Sequence, residues 1–397
     1  MYASVVRHKR IIFKDHYLLY LSFLFLGFNK VYLYLPLLAL FYFLKLPIIL
    51  NIRINKKFTI LLFLMLLSVL PLMTVGLNNL TIENPIIVLS VLFISIVLAG
   101  FALQYQNQHV KYIAIMLYIL GVGVESLIIA GYSFLTDPIL YGYGKVLNPF
   151  SGDEMNSPGT SNNLAILAIL LLYLIFFLDN YLIKLFAIAL VAITFAGAIF
   201  LGGRTFFVIV FIGIFLLAFS NLKIKNIAKI LFYIMLATVV LILVITQIEE
   251  LQLYLEFTLN RFDNGLESNR FGHYAHGLSQ ILYYPFGGFT VDKSFEDTSW
   301  FHNVFLDNAR IAGWLPVLAL ILGMGFIGLT IFKYKDEYYR FGFVVFVITF
   351  LIMQQDVVIE GNIRTLVLMY FSGILLLSSK RIIGSGYRDG RNDFKHR

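Results

Sequence analysis

Twelve runs of apolar residues, separated by short polar stretches, set the pattern of this chain. They cover 11–28, 31–50, 58–77, 85–103, 112–135, 164–178, 185–201, 206–220, 230–248, 311–332, 341–353 and 365–379. A helix needs about 20 mostly apolar residues to cross the hydrocarbon core of a bilayer. The runs at 164–178, 206–220 and 341–353 fall short, so each either extends by a few residues or forms an irregular span lining a cavity. The pattern predicts an all-α integral membrane protein: one polytopic domain over 1–397 with about twelve transmembrane helices. Met1–Arg10 is basic, but the apolar stretch after it leads into further helix without a small-residue cleavage site, so no cleavable signal peptide is expected.

Charge orients the spans. Lys and Arg bias cytoplasmic loops. With the N-terminus placed inside and the spans alternating, 21 of the 30 Lys and Arg fall on inside segments, six of them in the tail 380–397, and eight fall outside. Both termini are therefore expected in the cytoplasm, with a basic cytoplasmic tail at 380–397. Composition agrees. The chain is 60% hydrophobic and 13% charged, against roughly 25% charged for a soluble domain, so most of its surface must face lipid. The net charge of +8 follows from the inside excess and suits anionic membrane lipid. No basic domain stands apart from the membrane, so a nucleic-acid partner is not expected. The absence of Cys removes disulfides, thiolate catalysis and Cys-ligated metal clusters.

Two outside segments exceed what a connector needs. Residues 136–163 are rich in Gly, Pro, Asn and Ser and read as loop. Residues 249–310, between helices 9 and 10, carry Tyr254, Phe257, Phe262, Tyr274, Tyr283, Tyr284, Phe286, Phe289, Trp300 and Phe301. That aromatic density predicts a large folded outer loop, with short helices lying on the outer surface as a lid. Neither internal repeats nor similarity between the two halves is visible, which weakens a transporter built from inverted repeats.

The outward segments also hold the candidate chemistry. Arg204, in Leu201-Gly202-Gly203-Arg204-Thr205, sits at a tight turn between two helices. Its planar guanidinium suits phosphate, and an interfacial arginine snorkelling to lipid headgroups is the plainer alternative. Arg270 opens Arg270-Phe271-Gly272-His273-Tyr274, ahead of Pro285-Phe286-Gly287-Gly288; nine acids in the same loop make a salt bridge for Arg270 or Arg261 equally easy to arrange. His302, in Trp300-Phe301-His302-Asn303, precedes an apolar helix. A neutral imidazole near its free pKa of about 6.5 is suited to taking a hydroxyl proton, and a structural His bonded to backbone is its alternative. Glu125 lies mid-span, where an ionisable group is expensive and faces either a partner or a pathway. No zinc spacing, P-loop, nucleophile elbow or DxD-type acidic pair stands out.

Taken in order, these pieces resemble the O-antigen polymerase and O-antigen ligase superfamily of bacterial polytopic glycosyltransferases. The likeness rests on Gly202-Gly203-Arg204-Thr205-Phe206-Phe207, on Arg270 ahead of Pro285-Phe286-Gly287-Gly288, and on His302-Asn303-Val304-Phe305-Leu306 followed by Ala312-Gly313-Trp314. An Arg-x10-Gly pattern described for the polymerases runs from Arg261 to Gly272. The first motif departs from the more usual Ser-Arg pair by carrying Gly203 before Arg204.

The resemblance implies glycosyl transfer from undecaprenyl-diphosphate-linked donor and acceptor glycans on the periplasmic or extracellular face of the inner (cytoplasmic) membrane. Arg204 and Arg270 would bind the diphosphate and stabilise its developing charge, and His302 would deprotonate the acceptor hydroxyl. Arg261, Asn303, Tyr274, Trp300 and Glu125 would contribute to substrate binding, the aromatics by stacking on sugar faces. Diphosphate is a good leaving group, so the implied chemistry calls for no metal and no cofactor. A chain-length regulator protein is a candidate partner. Polymerase is the favoured member; ligase and protein O-oligosaccharyltransferase are alternatives within the family, and a twelve-helix polysaccharide flippase or transporter is the alternative outside it.

Overall fold

The computed structural model describes residues 16–49, 55–69, 85–177, 180–219, 245–263, 270–294, 299–331, 337–358 and 361–377, with isolated positions at 235, 239, 242 and 243. Among these residues the chain forms fourteen helices and one two-stranded antiparallel hairpin. Eleven of the twelve apolar runs each contain a helix. They are α1 (Tyr17–Gly27), α2 (Val31–Ile49), α3 (Lys56–Ser68), α4 (Pro85–Gln104), α5 (Gln108–Thr136), α6 (Ser157–Phe177), α7 (Tyr181–Phe200), α8 (Arg204–Phe219), α12 (Trp314–Ile331), α13 (Glu337–Met353) and α14 (Ile363–Leu377). Asn55, Asn107 and Asn180 cap α3, α5 and α7, each side chain accepting a hydrogen bond from a first-turn backbone N–H.

Among the described residues, α5, α6 and α7 are long and apolar enough to cross a membrane. Most of the run 230–248 lies outside the described residues, as do the tail 380–397 and the basic residues at 7–14, at Arg53, at 223–229 and at 333–335.

The segment 249–310 is folded. It carries α9 (Glu249–Asp263) and α10 (Arg270–Gln280) and leads into α11 (Val304–Ala312). Phe289, Val291, Phe301, Leu306 and Ala309 form with Val317 a small core separate from that of the main helix bundle, and Tyr274, Ile281 and Phe305 pack against it. The reading of 136–163 as loop needs a correction. Lys145–Leu147 (β1) pairs with Glu154–Asn156 (β2), and α6 begins at Ser157, seven residues before the apolar run. Ser157, Thr160, Ser161, Asn162 and Asn163 are helical and buried; Ser157 accepts from the Gly144 N–H and Asn163 from Asn362.

Side-chain bonds gather the polar segments at two opposite ends of the bundle. At one end, Gln108 of α5 donates to the Leu375 carbonyl of α14 (3.1 Å), Tyr339 of α13 to the Leu376 carbonyl (2.7 Å), and His109 meets Tyr338. At the other, Asn362 before α14 donates to Asn163 of α6 (3.0 Å), and Tyr254 of α9 donates to the carbonyls of Pro138 and Tyr141. The α1–α5 crossing is close because Gly27 and Gly121 face each other; a Cβ on either would overlap the backbone of the other helix.

Candidate functional site

The second of these ends holds the residues singled out by their chemistry. The chain turns from α7 to α8 through Gly202, whose φ of +61° suits glycine, and Arg204 is the first residue of α8. Gly203 lies against α6: a Cβ there would overlap the Ser161 hydroxyl. Ser161 thus occupies the space that a serine at position 203 would need. One residue on, the Thr205 hydroxyl donates to the Gln355 side-chain carbonyl at 3.1 Å.

Arg270 is the first residue of α10, and its Nη1 donates to the Gln355 backbone carbonyl at 3.0 Å. Tyr274, one turn later on the same helix face, sends its hydroxyl to the carbonyls of Gln354 (3.0 Å) and His302 (3.3 Å). Asn303 reaches the same place: its Nδ2 donates to Gln354 Oε1 at 3.1 Å. The turn after α13, Gln354-Gln355-Asp356, is therefore a hub. Side chains from α8, from α10 and from the loop before α11 all end on it.

The loop that carries His302 is held by reciprocal capping. The Asn303 side chain accepts from the N–H groups of Phe305 (3.0 Å) and Leu306 (3.3 Å) and so starts α11; such a cap contributes about 1 kcal/mol. Asp307, almost fully buried, accepts in return from the N–H groups of Phe301 (2.9 Å) and Asn303 (3.2 Å). Between these bonds His302 adopts a φ of +54°, a left-handed conformation that costs a non-glycine residue about 1 kcal/mol. The caps on either side hold it there.

Asp356 anchors the hub from below. It is 5% exposed, and its carboxylate accepts from the Val357 N–H (2.9 Å) and from Asn362 Nδ2 (3.2 Å), with a further bond from the Asn162 side chain. Burial pushes its pKa up, while these donors and the nearby Arg270 guanidinium oppose the shift. His302 is shifted the other way. Burial, then the positive charge of Arg270 and the neighbouring His273, lower its pKa to about 4. The expectation of a near-free imidazole is corrected accordingly: only 9% of the residue is exposed, and loss of hydration penalises the cation. The Tyr274 phenol is raised, mainly by burial.

The structure thus brings Arg270, Tyr274 and Asn303 onto one turn, with the His302 carbonyl tied to it through the Tyr274 hydroxyl and Arg204 half-buried at the adjoining corner beside Thr205. Trp300 is half-buried two residues before His302. Arg261 lies in α9, and its side chain falls outside the described part of the chain. Glu125 has a different setting. Its carboxylate pairs with Arg364 of α14 and lies 3.8 Å from Lys30 Nζ, which stacks over the Phe150 ring at 3.7 Å. The pairing supports the structural reading of Glu125, as a tie between α5, the α1–α2 junction and α14.

Sequence reasoning passed over Gln354, Gln355, Asp356, Asn362 and the polar first turns of α6. The available signal was a Gln-Gln-Asp triplet in a short connector between two apolar runs, where nothing in hydropathy required three polar residues. Compared with protein-family models, with curated proteins and with solved structures, the chain matches nothing.

Proposed function

We propose that this protein is a membrane glycosyltransferase. In this reading it polymerises undecaprenyl-diphosphate-linked oligosaccharide repeat units into O-antigen or capsular polysaccharide on the outer face of the bacterial cytoplasmic membrane. The observation that carries the proposal is the meeting of Arg270, the Arg204–Thr205 corner and the His302–Asn303 loop on the Gln354–Asp356 turn. A guanidinium, two hydroxyls and an amide end there, from three elements far apart in sequence, and the Tyr274 hydroxyl also ties the His302 carbonyl to the same place. In this reading the chain makes about twelve spans with both termini in the cytoplasm; the gathering of polar segments at two opposite ends of an apolar bundle supports its membrane-spanning part.

In the proposed reaction the acceptor hydroxyl attacks the donor's anomeric carbon opposite the diphosphate. The new C–O bond forms as the old one breaks, and the bonding pair leaves on the lipid diphosphate. Arg270 and Arg204 stabilise that developing charge through charge-assisted hydrogen bonds. His302, neutral because of its depressed pKa, takes the hydroxyl proton as the bond forms. Inversion at the anomeric centre follows from the direction of attack.

The test is the lipid-linked and surface glycan of a deletion strain complemented with wild type, Arg270→Ala or His302→Ala at matched expression. A polymerase leaves single repeat units on the surface in the deletion and both variants, and long chains with wild type. Long chains that stay on undecaprenyl diphosphate would reassign the protein as a ligase. Unchanged glycan in every strain would overturn the family reading and favour a transporter.

A further inference from the structure

Between α10 and Phe289 the chain makes a knuckle, Ile281-Leu282-Tyr283-Tyr284-Pro285-Phe286, with an unusual division of polar and apolar groups. Its backbone is tied inward. The N–H groups of Ile281, Tyr283 and Tyr284 donate to carbonyls of α10, and that of Gly287 donates back to Tyr284. The Pro285 carbonyl accepts from the Trp314 N–H at 2.9 Å, and the Ile281 carbonyl accepts from the Trp314 indole N–H at 2.6 Å. Pro285 has no N–H to satisfy. Gly313, with φ +75°, packs so closely on Pro285 that any side chain there would overlap it.

The side chains face the other way. Tyr283 is 79% exposed and Phe286 90%, with Leu278 and Leu282 exposed beside them. Through Trp314 this surface continues into the exposed flank of α12, formed by Leu315, Leu318 and Leu322. A ridge with several of its backbone groups bonded inward and its aromatic side chains outward suits a bilayer interface, where unpaired backbone groups become costly with depth. Tyr and Trp concentrate at that depth.

We infer that this knuckle is seated in the interfacial layer of the bilayer and anchors the α10–α11 unit to the membrane, so that Arg270, at the other end of α10, is held at a set depth. The inference rests on α12 spanning the membrane but not on any transferase activity. It also gives Tyr283 and Phe286 a lipid partner in place of the sugar-stacking role open to the aromatics of 249–310.

The chain has no cysteine, so single cysteines can be placed cleanly. Phe286→Cys, Ser294→Cys on an exposed polar stretch of the same segment, and Leu322→Cys on the α12 flank are labelled with bimane. Each is then reconstituted in phosphatidylethanolamine–phosphatidylglycerol vesicles containing nitroxide lipids. The 286 label should be blue-shifted and lose most of its emission to the lipid nitroxide, as the 322 label does, while the 294 label keeps its emission. Trp314 fluorescence in a Trp300→Phe background should likewise be quenched by brominated lipid, without a change at the knuckle. An unquenched 286 label with a quenched 322 label overturns the inference alone. If neither is quenched, the membrane-spanning reading of α12 falls with it.

Discussion

Arg270 and Gln355, 85 residues apart in sequence, are joined at 3.0 Å by a bond from a guanidinium nitrogen to a backbone carbonyl. Because the acceptor is main chain, the bond survives replacement of the Gln355 side chain. Arg270→Lys keeps the charge but loses the fork. Glycan transfer should fall about 100-fold in Arg270→Lys, the scale of losing one charge-stabilising donor, whereas Gln355→Ala should retain most activity. Chain length on lipid-linked glycan measures both, and equal losses in the two variants would point to the turn itself rather than the guanidinium.

The depressed pKa of His302 sets a pH dependence. The folded value is about 4 against an ordinary 6.5, so the imidazole stays neutral through neutral and mildly acid pH. Transfer activity of the purified protein should hold from pH 8 to about 5 and drop only near 4, with no step at 6.5. Stability moves in the same sense: the unfolded chain binds the extra proton, so this contribution is lost as pH falls through 6.5 toward 4. His302→Gln should remove that part of the decline in a thermal-unfolding series.

Asp356 has the opposite sign. Its folded pKa is raised by burial, so its contribution to stability is greatest at acid pH, decreases as pH rises above the ordinary carboxyl value of about 4, and levels off beyond the folded value. Asp356→Asn should flatten this slope. A variant whose unfolding temperature follows wild type across that range would show that the buried carboxyl is not the titrating group.

The Gly203–Ser161 contact yields a double-mutant test. Gly203→Ser forces overlap with the Ser161 hydroxyl and should destabilise by about 1–3 kcal/mol, the cost of overpacking. Ser161→Gly should restore most of it in the double variant, since the two residues are in direct contact. Additive losses in detergent-solubilised protein would contradict the packing described here.

Glu125 ties two cations at a buried position. Glu125→Ala leaves Arg364 without its carboxylate and should cost about 3 kcal/mol or more. Replacing both partners, Glu125→Leu with Arg364→Met, should recover much of that stability. If Glu125→Ala folds as stably as wild type but abolishes transfer, the carboxylate belongs to the substrate pathway instead.

The helices were legible in the sequence wherever burial and lipid contact ask for the same residues: α2, α4 and α7 begin and end close to their apolar runs. Legibility failed where polarity was buried. Ser157–Asn163 looks like loop because five of its residues are buried polar ones, yet they are helical, and Asn162 and Asn163 of this stretch meet Asp356 and Asn362. Arg270 and His302 could be singled out because their chemistry is distinctive. Gln354 and Gln355 could not, because they act through a carbonyl and an amide that many loops contain, and only the three-dimensional path of α8, α10 and the His302 loop gives them a role. The His302 pKa was misread for the same reason: its burial comes from neighbours distant in sequence.

The most direct measurement of the central claim is product formation by the purified protein in lipid nanodiscs supplied with undecaprenyl-diphosphate-linked repeat units and no other protein. Wild type should give a ladder of longer lipid-linked glycans, and Arg270→Ala and His302→Ala none at equal thermal stability. A wild-type protein that binds the lipid-linked glycan but never extends it, or variants that extend it as well as wild type, would contradict the account.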